Sequence, residues 1–391
     1  MTDSLSSSPT PAPPPSLYEE LGLAPALNGN GKMTALGGSR LSDGVIAAMA
    51  EAARSHVVMD ELLVAAGRDL AAATGSQDVC PTTGAASGIA LAVAALIAGE
   101  DLARIEALPD PGGRPHEVVL PKGHAVHFGA PVRQMIALGG GRPVEVGSAN
   151  KVRAAHLAGA IGERTAALLY VQSHHAVHKG MPSLAEVVAV GREYGVPVIV
   201  DAAAEEDPRA WTSTGADLVV FSGGKALGGP ASGLVCGSAA LVAACRAQYA
   251  GVGRPMKVGK ETVLGLVRAV REHAARSDGG QDLHKGQGVH HDRMARLAAR
   301  LDTLAGITAR VVPDEAGRDI HRAQLLVDPV RAGRDATGLA AELAAGSPPV
   351  FLRDHHAGSG RLAVDPRCLT PDEEEAVVRR LTELLGAAPP N

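Results

Sequence analysis

The chain has 391 residues, long enough for one large domain and a smaller one, each with its own core. Lys and Arg number 37 against 42 Asp and Glu, a net charge of −5, so no bulk attraction draws it to nucleic acid or to an anionic membrane. Aromatic residues make up only 2%, leaving a core of Ala, Val and Leu, while 15 histidines make imidazoles the commoner planar groups for any site.

The chain opens on MTDSLSSSPTPAPPPSL, which lacks the basic start and apolar stretch of a signal peptide. Residues 1–26 read as a disordered Ser/Pro-rich leader. The apolar run Gly84 to Ala98 is too short to cross a bilayer, which takes about 20 residues, and reads as a buried helix. Beyond it, short β-branched runs alternate with helical segments, the pattern of an α/β domain with a mainly parallel sheet. Strands are expected at Glu117 to Leu120, Ala166 to Val171, Pro197 to Val200, Leu218 to Phe221 and Leu234 to Cys236. Ser183 and Glu186 form an S-x-x-E capping box that starts the helix leading into the Asp201 strand. A long helix follows from Lys260 to about Ala275, then the stretch SDGGQDLHKGQGVHHD reads as a polar connection. The strands ITARVVP and AQLLVD come next, and a last helix is capped by Thr370, Pro371 and Glu373. This gives a leader, a large domain over 27–269 and a small C-terminal α/β domain over 270–391.

Cys80, Cys236, Cys245 and Cys368 form no C-x-x-C pair, which argues against a zinc ribbon or disulfide scaffold and fits a reducing cytoplasm. The chemistry concentrates in VPVIVDAAAEEDPRAWTSTGADLVVFSGGKALGGPASGLVCG. One apolar strand delivers Asp201 at its C-terminal end, and a second delivers Ser222, with Lys225 in the glycine-rich turn beyond. Ligands of open α/β sheets bind at the carboxyl ends of strands, so both side chains point to one crevice. A buried aspartate with a lysine among glycines is what pyridoxal phosphate requires: an amine to form the Schiff base and a carboxylate to keep the pyridine nitrogen protonated. Thr82, Thr83, Gly84, Ala85 and Ala86 open the apolar helix, where free backbone N–H groups and the helix dipole favour a phosphate. A Walker-type nucleotide loop is absent from the sequence.

The chain resembles fold-type I pyridoxal-phosphate enzymes of the selenocysteine-synthase-like group, and within it the D-glucosaminate-6-phosphate ammonia-lyase family, from about Leu27 to Leu385. The segments that carry this are NGNGKMTALGGSRLSDGV, TTGAASGIALAVAALIAG, KGHAVHFGAPVRQMIALGGG, SHHAVHKGMPSL, VDAAAEED, FSGGKALGGPASGLVCG, GRPMKVGKETVLGL and DPRCL. Near positions 224 and 228 the ammonia-lyase pattern implies an alanine and a glutamate, where this chain has glycines.

The resemblance implies Lys225 as the Schiff-base lysine, Asp201 as the pyridinium partner, and Thr83, Gly84, Ala85 and Ser222 around the phosphate. It places His124 against the cofactor ring, in keeping with the scarcity of aromatic residues, and Gly229, Pro230 and Ser232 toward a partner's cofactor phosphate in at least a homodimer. His174 and His175 approach the substrate, His175 as a candidate acid; as neighbours on a strand they are expected to point to opposite faces. A metal at His174, His175 and His178 is disfavoured for want of neighbouring carboxylates. Arg367 and Arg353 are candidates to hold a substrate carboxylate, and Lys257, with Lys32, Arg40 and Lys260, to reach a distal phosphate or polyol. The implied reaction is α,β-elimination on a β-hydroxy amino acid, an amino sugar acid or its phosphate, giving a 2-oxo acid and ammonia without a metal. A racemase, an aldolase and an aminoacyl or selenium transferase share its first half.

Overall fold

The computed structural model describes residues 16–278, 286–315, 318 and 320–386. In chain order its strands are β1 (Leu27–Gly29), β2 (Asp78–Thr82), β3 (Glu117–Pro121), β4 (Arg142–Val146), β5 (Thr165–Val171), β6 (Val198–Asp201), β7 (Leu218–Ser222), β8 (Gly233–Gly237), β9 (Ile307–Pro313), β10 (His321–Val327), β11 (Val350–Leu352) and β12 (Arg361–Val364). The helices used below are α1 (Asp43–Ala53), α2 (Met59–Thr74), α3 (Ala85–Ala98), α4 (Leu184–Tyr194), α5 (Lys260–Asp278), α6 (Gly286–Leu301), α7 (Ala336–Ala344) and α8 (Pro371–Leu385).

The chain divides into two units. The larger takes residues 32–288 and 314–319; the smaller takes the N-terminal residues as far as Gly31 together with 289–313 and 320–391. The larger is built on a seven-stranded sheet in the order β2-β8-β7-β6-β5-β3-β4. Only β8 runs against its neighbours; the other pairs are parallel. Alternation along the strands splits the core in two. Val118, Leu120, Leu169 and Val220 pack with Ile89 and Val93 of α3 on one face, and Val119, Leu168, Val200 and Phe221 pack with residues of α2, α4 and α5 on the other. A sheet covered on both sides reads as continuous apolar runs, which is why its central strands are legible in the sequence.

In the smaller unit β12-β10-β9 form an antiparallel sheet, packed on α6, α7 and α8, while β1 pairs in parallel with β11. That pairing draws Leu27–Gly29 into the smaller unit instead of the large domain expected from residue 27. The expected break at 269/270 falls inside α5, whose Val263, Leu266, Val267 and Val270 belong to the larger unit's core. Residues 1–15 of the leader, and His284, lie outside the described residues. Its described part is not all irregular: Ser16 and Glu19 form a capping box that starts a turn of helix at Leu17–Glu20. The supposed polar connection is shorter than expected, because α6 begins at Gly286; Met294, Leu297, Ala298 and Leu301 place one buried stripe along it. Both capping boxes read from the sequence, Ser183 with Glu186 and Thr370 with Glu373, are formed. Among the described residues no helix is long and apolar enough to cross a membrane.

Candidate active site

The parallel strands of the larger unit end at one edge of the sheet, and each hands over to a loop there. β2 leads through Thr83 and Gly84 into α3, β3 into the turn Lys122–His124, β5 into residues 172–175, β6 ends on Asp201, and β7 runs into Gly223, Gly224 and Lys225. The turn before β8 reaches the same edge, because β8 runs the other way.

Asp201 is buried, and its Oδ1 accepts one hydrogen bond, from Ala203 N–H at 3.1 Å. Its Oδ2 makes none among the described residues. Burial pushes the carboxyl up to about 6, against the pull of the Lys225 charge and the Ala203 N–H. Lys225 is in turn held below the ordinary lysine value, first by burial and then by the Arg318 charge, with Asp201 opposing. The Lys225 turn is tied from two sides. Ser39 Oγ lies 2.8 Å from the Lys225 carbonyl and 3.1 Å from that of Gly224, and Lys32 Nζ donates to the Ala226 carbonyl at 3.3 Å.

α3 starts on Gly84 without a side-chain cap, so its first-turn N–H groups face outward at an accessible helix start. Thr83 is exposed and bonds Ser87, while Thr82 and Ser87 hydroxyls donate to the Gly84 carbonyl and hold the turn. Ser222 is half-buried at the end of β7. Asp201, Lys225, Ser222 and the Thr83-Gly84-Ala85 turn are thus brought to one edge.

Other expectations are altered. His124 is completely buried: its Nδ1 accepts from Val171 N–H at 3.2 Å, Tyr170 meets its ring edge-on at 4.6 Å, and His178 lies 5.6 Å away. It therefore shows no open face for a cofactor ring to stack on. Burial, with the His178 charge, lowers it to about 4, so it is a neutral imidazole with the proton on Nε2, an atom without a hydrogen-bond partner among the described residues. β5 ends at Val171, so strand alternation does not separate His174 and His175; they sit in a turn with ring centroids 3.9 Å apart. Gly229 is buried and its N–H donates to the Gly223 carbonyl at 2.7 Å, while Ser232 Oγ donates to the Pro230 carbonyl. These bonds hold the loop that follows Lys225 in one shape. Lys257 follows the turn Arg254–Met256 and is exposed. Arg367 and Arg353 belong to the smaller unit. Arg367 gives Nε and Nη2 to Asp365, each at 2.9 Å, and Arg353 is buried, its backbone bridging to Ala363.

Sequence reasoning passed over Ser39, Tyr170 and Arg318. Ser39 stands in the first quoted segment, so a signal existed; Tyr170 reads as core, and Arg318 sits in an unremarkable polar turn.

A mainly parallel sheet with an aspartate, a lysine turn and an uncapped helix start on one edge defines a fold-type I pyridoxal-phosphate enzyme. The open Oδ2 of Asp201 suits a protonated pyridine nitrogen and the free helix start suits a phosphate. Residues 26–283 match the family described as SelA: L-seryl-tRNA selenium transferase, and the chain belongs to that family. It is 56% identical to a 5'-C-glycyluridine monooxygenase-decarboxylase of a Streptomyces species, over 95% of this chain and 93% of that one. It is 42% identical to the D-glucosaminate-6-phosphate ammonia lyase of Salmonella typhimurium, covering 95% of this chain and 98% of the relative. A solved structure of D-glucosaminate-6-phosphate ammonia-lyase superposes with a TM-score of 0.86 at 42% identity, over 95% of this chain and 98% of that one. The ammonia-lyase likeness, the fold-type I architecture and the cofactor expected from the sequence are all met by these relatives, and the chain is an enzyme.

Proposed function

We propose that the chain binds pyridoxal phosphate through Lys225 and removes the α-proton of an amino acid that carries an oxygen on its β-carbon. The observation that carries this is the placing of the half-satisfied, buried carboxyl of Asp201 at the end of β6 and of Lys225 in the turn beyond the end of neighbouring β7. Pyridoxal phosphate, when bound, supplies an electron sink for the carbanion left at the α-carbon. Asp201 Oδ2 holds the proton of the pyridine nitrogen, and the N–H groups of the first turn of α3 hold the phosphate, with Thr83 and Ser222 beside them. Ser39 and Lys32 fix the backbone of the lysine turn, so the amine returns to one place. Burial keeps a larger share of that amine neutral, as a base requires. His174 and His175 are candidates to protonate the departing oxygen.

The substrate class is supported by both relatives. D-glucosaminate is a 2-amino-3-hydroxy acid, and a glycyl unit joined by carbon to C5' of uridine is likewise an amino acid with its oxygen on the β-carbon. Loss of the β-hydroxyl then gives, after hydrolysis, a 2-oxo acid and ammonia. A second reading is favoured by the higher identity, 56% against 42% over the same 95% of the chain. In it the carbanion meets dioxygen, the carboxylate leaves as carbon dioxide, one oxygen atom stays in the resulting amide and the other leaves as water. The glycines at 224 and 228 point the same way. Where the ammonia-lyase pattern implies a glutamate, Gly228 has φ +72° and no carboxyl.

A homodimer and a cytoplasmic setting belong to the same proposal, the latter supported by Cys80, Cys236 and Cys245, which are buried and joined in no disulfide. The test is reconstitution with pyridoxal phosphate. A visible absorption band is expected in the wild-type protein and its loss in Lys225→Ala; a colourless wild type overturns the reading. D- and L-β-hydroxy amino acids, amino sugar acids and nucleoside-linked glycines are then assayed for ammonia with a 2-oxo acid, or for oxygen uptake with carbon dioxide. The products decide between the two outcomes.

A further inference from the structure

The loop that carries Lys225 is held in two different ways. Its base closes on itself: Gly223 donates its N–H to the Ser232 carbonyl at 2.8 Å, and the Gly223 carbonyl accepts from Gly229 N–H at 2.7 Å. Its crown does not. Gly224, Lys225 and Ala226 present three successive carbonyls outside any strand or helix, and among the described residues only that of Lys225 is met from within the loop, by Gly228 N–H at 3.1 Å. Carbonyls drawn away from water need donors from elsewhere.

All three are met by one segment from far earlier in the chain, residues 32–39, which belongs to the same unit. Half-buried Ser39 places its Oγ 2.8 Å from the Lys225 carbonyl and 3.1 Å from that of Gly224, and Lys32 Nζ donates to Ala226 at 3.3 Å. The segment is itself a closed turn, in which Gly37 gives its N–H to the Thr34 carbonyl and Gly38 to that of Met33. Gly38, at φ +78°, lies so close to the crown that a Cβ there would stand 2.8 Å from the Gly224 carbonyl oxygen. A side chain would oppose both the left-handed backbone and a fixed backbone oxygen, so glycine is what lets the segment approach. The groups proposed for the cofactor's ring nitrogen and phosphate stand elsewhere: Asp201 ends β6, and the phosphate turn opens α3.

We infer that residues 32–39 are a strap whose Ser39 hydroxyl fixes the Lys225 peptide and so sets where the amine stands when it condenses with the cofactor aldehyde. In that step a carbon–nitrogen double bond replaces the carbon–oxygen one and water leaves, with nothing oxidised or reduced. A lysine free to turn about its own peptide spends time away from the aldehyde, so holding that peptide favours the link without tightening the grip on the rest of the cofactor. The inference rests on the proposed link at Lys225 and adds what controls it. Ser39 acts through Lys225 and is a positioning residue.

The experiment measures two ligands on the cofactor-free full chain by calorimetry: pyridoxal phosphate, and 4'-deoxypyridoxine phosphate, which has a methyl group in place of the aldehyde and cannot link to Lys225. The ratio of their dissociation constants isolates the link, and Lys225→Ala gives the ratio with no link. Ser39→Ala is expected to bind the deoxy ligand as the wild type does and pyridoxal phosphate about two- to tenfold more weakly, the worth of one hydrogen bond. Ser39→Thr, which keeps the hydroxyl, is expected to restore the preference for the aldehyde, and Gly38→Ala to lower it. Should Ser39→Ala fail to fold, Ser39→Cys, a weaker donor of similar size, is expected to show a smaller loss. Ser39→Ala or Ser39→Cys with the full preference overturns the inference. So does a variant that binds both ligands more weakly by the same factor, the mark of a merely structural role. A wild type with no more preference than Lys225→Ala would instead sink the link at Lys225 beneath it, so the two failures are told apart.

Discussion

Asp201 is the residue at which folding and function conflict. Its carboxyl is buried with one hydrogen bond, and burial lifts it from 3.8 to about 6. Between those values the folded chain holds more protons than the unfolded one, so stability falls as pH rises through this window and the full cost stands above it. A shift of this size corresponds to about 3 kcal/mol. Cofactor-free Asp201→Asn is therefore expected to melt at a higher temperature than cofactor-free wild type at pH 8, with the gap closing as pH falls towards 4. Equal melting temperatures at both pH values would contradict this account. If pyridoxal phosphate binds as proposed, its protonated ring nitrogen would satisfy Oδ2 only in the wild type, and added cofactor is expected to reverse the order. The positions of Asp201 and Lys225 at strand ends are legible in the sequence because each follows an apolar run that a covered sheet demands. The surroundings of His124 are not. The rings that cover it come from the end of β5 and from the turn beyond, a contact no local pattern encodes.

At the scale of elements, the two strands of the seven-stranded sheet missed from the sequence share a cause. β2 and β4 are the two edges of the seven-stranded sheet, and each contains a proline, Pro81 and Pro143. Proline lacks the N–H that an inner strand spends on its neighbours, so it is tolerated at an edge, and there it breaks the apolar run by which strands are recognised. The β2 edge still matters for the site, because β8 presses against the turn that leads from it into α3. A Cβ on Gly233 would stand 2.5 Å from the Gly84 carbonyl carbon, 2.7 Å from its oxygen and 2.6 Å from Thr82 Oγ1. Two of those atoms are backbone and cannot swing aside. Gly233→Ala should thus move the phosphate turn, costing about 1–3 kcal/mol of stability by overpacking. Its dissociation constant for pyridoxal phosphate should rise well beyond that of a surface control such as Arg300→Ala. Unchanged affinity would mean that the Gly84 turn does not bear on the cofactor.

Over the whole molecule, the polar groups assigned to the cofactor all belong to the larger unit, while the smaller has an apolar core of its own and an ionic cluster within it. In that cluster Asp365 is completely buried between Arg322, which donates to it from Nε at 2.9 Å, and Arg367. Burial by itself would raise this carboxyl, but the two guanidinium groups and the Arg367 N–H outweigh it and hold Asp365 well below the usual carboxylate range. Its contribution to stability is present above the ordinary aspartate value and is lost only as pH falls through the lowered one. Asp365→Asn removes the carboxylate charge that faces buried Arg322 and half-buried Arg367, and breaking a buried pair from one side costs about 3–5 kcal/mol. If cofactor binding is a property of the larger unit, this variant should melt at a markedly lower temperature at pH 7. Below its transition it should still show the visible band of bound pyridoxal phosphate at near wild-type affinity. Loss of the band together with the lowered melting temperature would mean instead that the smaller unit contributes directly to holding the cofactor.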